Sequence, residues 1–181
     1  MNKYIIKTTR LGLRNWLPSD STPFIEMCQD PEVMQHFPAI LSAEETLDLI
    51  ARLKDHFKEF GYTYFAVDEL ETGDFIGFAG LKNQTWESDF TPCIDVGYRF
   101  KTSAWGKGYA TETATACLEN AYSLFGIKEV LSFTTDTNKA SEQVMKKIGM
   151  HYIGTVQHPL ITGDDRFKHC VVYTKTIQEK N

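Results

Sequence analysis

The chain has 181 residues and a mass of 20.7 kDa, which is room for one domain with a full core and argues against two. Residues of the set AVILMFWYC make up 42%, beside 12 Gly, which excludes a chain dominated by disorder. A net charge of −5 excludes the broad basic footprint of a protein that grips nucleic acid, so any phosphate binding has to be local.

Tyr4 to Trp16 reads as a strand pair or a long extended segment, with Ile5, Leu11 and Leu13 alternating against polar neighbours. A short helix follows over Thr22 to Gln29, and Asp30-Pro31 restarts a second one through Val33 and Met34 that stops before Pro38. Ser42 and Glu45 form a capping box ahead of Leu47, Ile50, Leu53, Phe57 and Phe60 at helical spacing, ended by Gly61. The period then changes to two. Tyr62 to Val67 and Phe75 to Leu81 are β-rich runs joined by an antiparallel turn over Asp68 to Asp74. Ile94 to Phe100 is a third strand, and Gly97 inside it points to a bulge or to a close approach to its backbone.

A loop from Lys101 to Gly108 leads into a helix over Tyr109 to Phe125, closed by Gly126. Val130 to Thr134 is a strand, Asn138 to Ile148 a helix ending at Gly149, and Tyr152 to Val156 and His169 to Ile177 are strands. The order predicts a mixed α/β domain with one central sheet flanked by helices, spanning 1–181 with its core at about 8–177.

Cys28, Cys93, Cys117 and Cys170 lack the close spacing that opens a zinc site, and the five histidines form no ligand pattern, so no metal is expected. The cysteines are expected as small hydrophobes in a reducing compartment. The N-terminus carries Lys3, Lys7, Arg10 and Arg14 among its apolar residues, without the apolar run of an export signal. No segment approaches the roughly 20 apolar residues of a membrane span. The expectation is a cytoplasmic protein without a membrane partner.

The stretch Gly97-Tyr98-Arg99-Phe100-Lys101-Thr102-Ser103-Ala104-Trp105-Gly106-Lys107-Gly108-Tyr109-Ala110-Thr111-Glu112 carries the chemistry. A strand, a glycine loop and a helix start come in succession, so loop and first-turn N–H groups at the positive helix end offer a site for phosphate or pyrophosphate. An ordinary strand-to-helix turn is the plain alternative. The P-loop spacing is absent, and the Rossmann pattern would need glycine where Thr111 stands.

This stretch, with Thr9 to Arg14, Asp30-Pro31-Glu32-Val33-Met34, Asp95-Val96-Gly97-Tyr98, Asn138 to Met150 and Val171-Val172-Tyr173, resembles the GNAT N-acetyltransferases. Within them it is similar to the branch that includes the ribosomal-protein N-terminal acetyltransferases. The likeness covers nearly the whole chain. It implies a mostly antiparallel sheet splayed between the fourth and fifth core strands, and acetyl-CoA as co-substrate with its pantetheine between Gly97–Phe100 and Val130–Thr134. Gly108 and Ala110 fill the small positions of the family's pyrophosphate loop, while Trp105 stands where Gln or Arg is usual.

The resemblance implies cofactor contacts from Val96, Tyr98, Phe100, Trp105, Gly106, Lys107, Gly108, Tyr109, Ala110, Thr111, Asn138 and Ser141. Asp95 is the candidate base, or else a solvent-facing strand carboxylate, with Glu69, Glu87 and Asp89 as fallbacks. Ser141 is the candidate acid for the departing thiolate, and a backbone N–H near Val96 to Tyr98 the oxyanion donor. Asn138 binds cofactor or caps its helix. Glu112 complements the helix start. Lys107 meets a phosphate or solvent, and Tyr98, Trp105, Tyr109 and Phe133 line pantetheine or the core.

The expected reaction is direct acetyl transfer to a primary amine, the acceptor being a protein N-terminus or a small amine such as a polyamine, antibiotic or amino acid. A non-catalytic acyl-CoA-binding module and a dinucleotide-binding protein are the alternatives. Acceptor choice is expected in Asp30 to Phe60, Asn83 to Pro92 and His158 to Arg166, with Asp164 and Asp165 as steering charges. The chain is expected as a monomer or homodimer.

Overall fold

The computed structural model describes residues 3–159 and 165–178, so Asp164 and the side chain of Asp165 lie outside the described residues. Strands β1 (Ile6–Lys7) and β2 (Leu11–Arg14) are the expected N-terminal pair, with Ile6, Leu11 and Leu13 buried. Helices α1 (Ser21–Gln29), α2 (Pro31–Met34) and α3 (Ala43–Phe60) follow. The capping box of α3 is formed in both directions, Ser42 N donating to Glu45 at 2.7 Å and Glu45 N to Ser42 Oγ at 3.1 Å. Gly61 ends the helix at a left-handed φ of 78°.

The meander β3 (Tyr64–Glu69), β4 (Phe75–Gln84) and β5 (Cys93–Phe100) comes next, then α4 (Tyr109–Phe125), β6 (Glu129–Thr135), α5 (Lys139–Lys147), β7 (His151–Gln157), α6 (Asp165–Lys168) and β8 (His169–Thr176). All eight strands join one sheet in the order β1-β2-β3-β4-β5-β6-β8-β7. Leu118, Val96, Val130 and Met145 belong to the core under α4 and α5, and Trp16, Phe24, Leu53 and Phe78 to the core under α1 to α3. The sheet separates two apolar layers.

Only β5 and β6 run parallel, and they share the single pair Asp95↔Leu131. On its other edge β5 is matched to β4 from Gln84↔Cys93 through Gly77↔Phe100. Counted from β2, the splay lies between the fourth and fifth strands, where the resemblance puts it.

Of the bulge and the close approach that Gly97 pointed to, the bulge is absent, since the β4–β5 register is continuous there. Gly97 instead permits a close approach. Tyr64, Gly80 and Gly97 form one row across β3, β4 and β5. A Cβ on Gly97 would lie 2.7 Å from Tyr64 Cζ, so the missing side chain is what lets the Tyr64 ring lie across the row.

Candidate active site

The hydrogen bond from Lys101 N to Ile76 O, 3.0 Å, sets the parity of β5. Asp95, Gly97 and Arg99 bond to β4, while the backbone groups of Val96, Tyr98 and Phe100 turn toward β6. Val96 O accepts Ser132 Oγ at 3.1 Å, and Phe100 O accepts Trp105 Nε1 at 2.8 Å. Beyond Asp95↔Leu131 the two strands share no ladder, so the N–H and C=O of Tyr98 face the wedge without a strand partner among the described residues. This is the backbone that an extended, amide-bearing ligand would pair with.

At the top of the wedge, Gly106 and Gly108 take left-handed φ values of 73° and 79°. Gly108 is the N-cap of α4 and has no side chain to occupy the orphan N–H groups of the first turn. The first helical bond, Glu112 N to Gly108 O at 3.0 Å, leaves the N–H groups of Tyr109, Ala110 and Thr111 as donors at the positive helix end. Trp105 is 42% exposed beside them.

The side chains of this stretch turn elsewhere. Lys107 lies 3.6 Å from Glu69, and the Tyr109 hydroxyl also bonds Glu69, under the guanidinium of Arg10. Of the expected contacts at 107 and 109, the backbone faces the loop and the side chains serve the rim. Glu112 receives Thr8 Oγ1 at 2.6 Å, Arg10 N at 3.0 Å and Arg10 Nε at 2.7 Å, a clasp on the N-terminal strands.

Asn138 caps α5, its side chain accepting Ser141 N at 3.1 Å. The Ser141 hydroxyl lies 3.1 Å from Tyr98 OH, which also reaches Ser141 O at 3.1 Å. Burial pushes the Tyr98 hydroxyl up to about 12, so it keeps its proton at neutral pH. Asn138, Ser141 and Tyr98 are therefore brought together on the α5 side. Phe133 of β6 instead faces Trp86, at a ring separation of 5.2 Å.

Asp95 faces the opposite layer and is only 7% exposed, not a solvent-facing strand carboxylate. Its oxygens accept Tyr64 OH at 2.7 and 2.8 Å and Gln84 Nε2 at 3.1 Å. Lys82, directly opposite on β4, turns its ammonium to Asn83 O at 3.1 Å. Burial pushes the carboxyl up to about 6, against the opposing pull of the Tyr64 and Gln84 hydrogen bonds and the more distant Lys82 charge. Burial and the neighbouring carboxylate hold Tyr64 well above its ordinary range, so it remains a donor.

The fallback carboxylates fare differently. Glu69 is engaged by Tyr109 and Lys107, and Glu87 and Asp89 are exposed. Tyr64 and Gln84 were not singled out by the sequence. Their only signal is register, since Gln84 lies one place beyond the Lys82↔Asp95 pair on the same face. Gln84 also lines an open groove with Cys93, Ile94 and Leu131 at the lower end of the wedge.

The described cysteines carry no disulfide, and burial pushes the Cys117 thiol up to about 12. Cys93, expected as a small hydrophobe of the core, is half-buried and lines that groove. Among the described residues, no three His, Cys, Asp or Glu side chains converge to hold a metal ion, and no helix is long and apolar enough to cross a membrane.

Residues 10–151 match the acetyltransferase (GNAT) domain. The YkkB protein of Bacillus subtilis is 30% identical over 151 residues, covering 83% of this chain and 87% of that protein. Among solved structures, a GNAT-family acetyltransferase from Bacillus anthracis superposes with a TM-score of 0.77 at 22% identity, covering 96% of this chain and 99% of that one. Spermidine N-acetyltransferase from Vibrio cholerae, in complex with CoA and spermine, gives 0.73 at 14% identity, covering 94% and 97%. RimL, a ribosomal L7/L12 alpha-N-protein acetyltransferase in complex with coenzyme A, gives 0.74 at 18%, covering 94% and 96%. With the domain matched across most of its length, the chain belongs to the GNAT acetyltransferase family.

Proposed function

We propose that the protein transfers the acetyl group of acetyl-CoA to a primary amine by direct attack. The observation that carries this reading is Asp95: a buried carboxyl raised to about 6, held only by neutral donors, on the strand where Tyr98 presents unpaired backbone to the wedge. The donor set at Gly106 to Thr111 suits an uncompensated pyrophosphate, and Tyr98 offers its carbonyl to a pantetheine amide. When bound, acetyl-CoA supplies an activated acyl carbon.

The chain supplies the rest. A free alkylamine is mostly protonated near pH 7, and a carboxylate titrating near 6 is poised to take the proton released as the C–N bond forms. Gln84 donates to that carboxylate and also lines the open groove, which places Asp95 one side chain away from water. The Tyr98 N–H holds the oxyanion as the carbonyl becomes tetrahedral. As the C–S bond breaks, the thiolate takes a proton from the hydroxyl pair of Ser141 and Tyr98, or leaves unaided, since a thiol has a pKa of about 8.5.

An acceptor screen over peptides with free N-termini, polyamines, aminoglycosides and amino acids, read by thiol release, tests this. Turnover with at least one class, lost in Asp95→Asn, is expected. Saturable acetyl-CoA binding without turnover on any of them overturns it in favour of an acyl-CoA-binding module.

A further inference from the structure

Arg99 lies on the same face of β5 as Asp95, four residues on and directly opposite Phe78. Its guanidinium sits 3.9 Å from the centre of the Phe37 ring and 5.4 Å from that of Phe78. Among the described residues its one hydrogen bond runs from Nη1 to Cys28 Sγ at 3.6 Å, and Nε is buried with no acceptor. None of the described ion pairs includes it. Asp95, on the same face, is engaged by Tyr64 and Gln84 instead.

A guanidinium carries five donors in a rigid fork and keeps its charge even where burial lowers its pKa, as it does here. Two aromatic rings offset part of the cost of burying it but accept none of its hydrogen bonds. The missing partner is an anion, and the planar fork matches a carboxylate bidentately. Position says which ligand would bring one. Arg99 is two residues, about 6.6 Å, along the strand from Gly97, next to the Tyr98 N–H assigned to the oxyanion. Within one α-amino acid the amine nitrogen and the carboxylate carbon are only about 2.5 Å apart, so this spacing is covered by the side-chain carboxylate of a peptide's second residue, and a free amino acid meets the fork only if the guanidinium reaches back toward Gly97.

Building on the acetyltransferase reading above, we propose that Arg99 is the carboxylate-binding residue of the acceptor subsite, and that the acceptor is an amine with a carboxylate close by, either a free amino acid or a peptide with an acidic residue next to its N-terminus. A polyamine would bring a second cation onto an unneutralised one. The Phe37 ring, from the segment between α2 and α3, forms one wall of the subsite.

The test uses wild type, Arg99→Met, which keeps the length without the charge, and Arg99→Lys, which keeps the charge without the fork. Thiol release is measured with a pool of free amino acids, the matching pool of amino-acid amides, dipeptide amides with Asp or Asn in second place, and spermidine. The melting temperature of each protein is read with N-acetylated amino acids and with their amides. Wild type is expected to prefer one carboxylate-bearing set at least tenfold over its neutral match. Which set it prefers separates a free amino acid from a peptide. Arg99→Met should lose the preference through KM, with Arg99→Lys in between, and the acid-induced shift in melting temperature should vanish in Arg99→Met.

Equal rates for acids and amides, preference for spermidine, or a preference that survives in Arg99→Met overturns the assignment. If no amine is acetylated but the acids still stabilise wild type and not Arg99→Met, Arg99 stands as a carboxylate site and the acetyltransferase reading falls. If neither effect is seen, both fall.

Discussion

Charge is buried in two regions of this fold, and the two are built differently. Under the N-terminal strands, Arg14 is 5% exposed, Asp20 1% and Asp68 0%. Arg14 bonds Asp20 at 2.7 and 2.9 Å and Asp68 at 2.6 and 2.8 Å, with Lys3 adding 2.9 Å to Asp68. Every charge there has its opposite. Burial alone would raise Asp68, yet the hydrogen bonds of Arg14 and Lys3 outweigh it and hold the carboxyl below its ordinary range. On β5, by contrast, Asp95 has only neutral donors and Arg99 only rings and a thiol. A closed network ties the chain together, whereas open charges await something that completes them.

Four substitutions break or sharpen this contrast. The largest expected effect is Asp95→Asn, which should lower kcat about 10²- to 10⁴-fold with little loss of stability. Its pH signature is specific. A carboxyl raised in the fold favours folding most below its unfolded value, and that contribution is lost as pH rises through about 6. From pH 4 to 7 wild type should lose about 2 kcal/mol from this group, a slope absent in Asp95→Asn, and kcat/KM should fall tenfold per unit below about pH 6. A variant that melts far below wild type at pH 8 would make Asp95 a structural residue.

Asp68→Asn leaves Arg14 with half its compensation and should cost about 3 to 5 kcal/mol in urea titration, with kcat of the folded protein unchanged. Its slope has the opposite sign. A carboxyl lowered in the fold stabilises above its unfolded value of about 3.9 and loses that contribution as pH falls further. Finding the same sign at both sites would erase the distinction between them.

Gly108→Ala meets only Arg10 Nη2, at 3.8 Å, so there is space for the methyl group, but φ of +79° strains it by about 1 to 2 kcal/mol. Relief of that strain would move the first-turn N–H groups, and KM for acetyl-CoA should rise severalfold with kcat nearly constant. Tyr98→Phe is the mildest. It removes a hydrogen bond worth about 1 kcal/mol, and kcat should drop less than tenfold because a thiolate needs little help to leave. A hundredfold drop would instead make the Tyr98–Ser141 pair an obligatory proton donor.

Much of the scaffold was legible because its signals are local. Ser42 and Glu45 cap α3 as read, Gly61 and Gly126 end their helices, and Gly108 opens α4. Asp95 could be found because a motif surrounds it. What surrounds Asp95 in space could not, since Tyr64 is 31 positions away and its ring lies across the strands where Gly97 leaves room for it. Gly97 shows the same limit, because a glycine in a strand is one sequence signal for two structural uses, a bulge or a close approach, and only the fold shows that it is the second. Of the two roles read for Asn138, the cap is formed through its side-chain oxygen, a bond as local as any the sequence encodes. Arg99 was silent in sequence, because the lack of a counter-charge is a property of the folded surroundings.

The clasp of Glu112 on Arg10 joins residues 102 positions apart, and Arg10 also holds the Lys107 carbonyl at 3.0 Å. The glycine loop is thus braced by a segment whose return costs loop-closure entropy that no local turn bears. An anion held at Gly106 to Thr111 draws on that brace, and by linkage its binding energy is felt at residue 10. Ligand occupancy should therefore slow hydrogen exchange in β1 and β2, far along the chain from any atom the ligand touches.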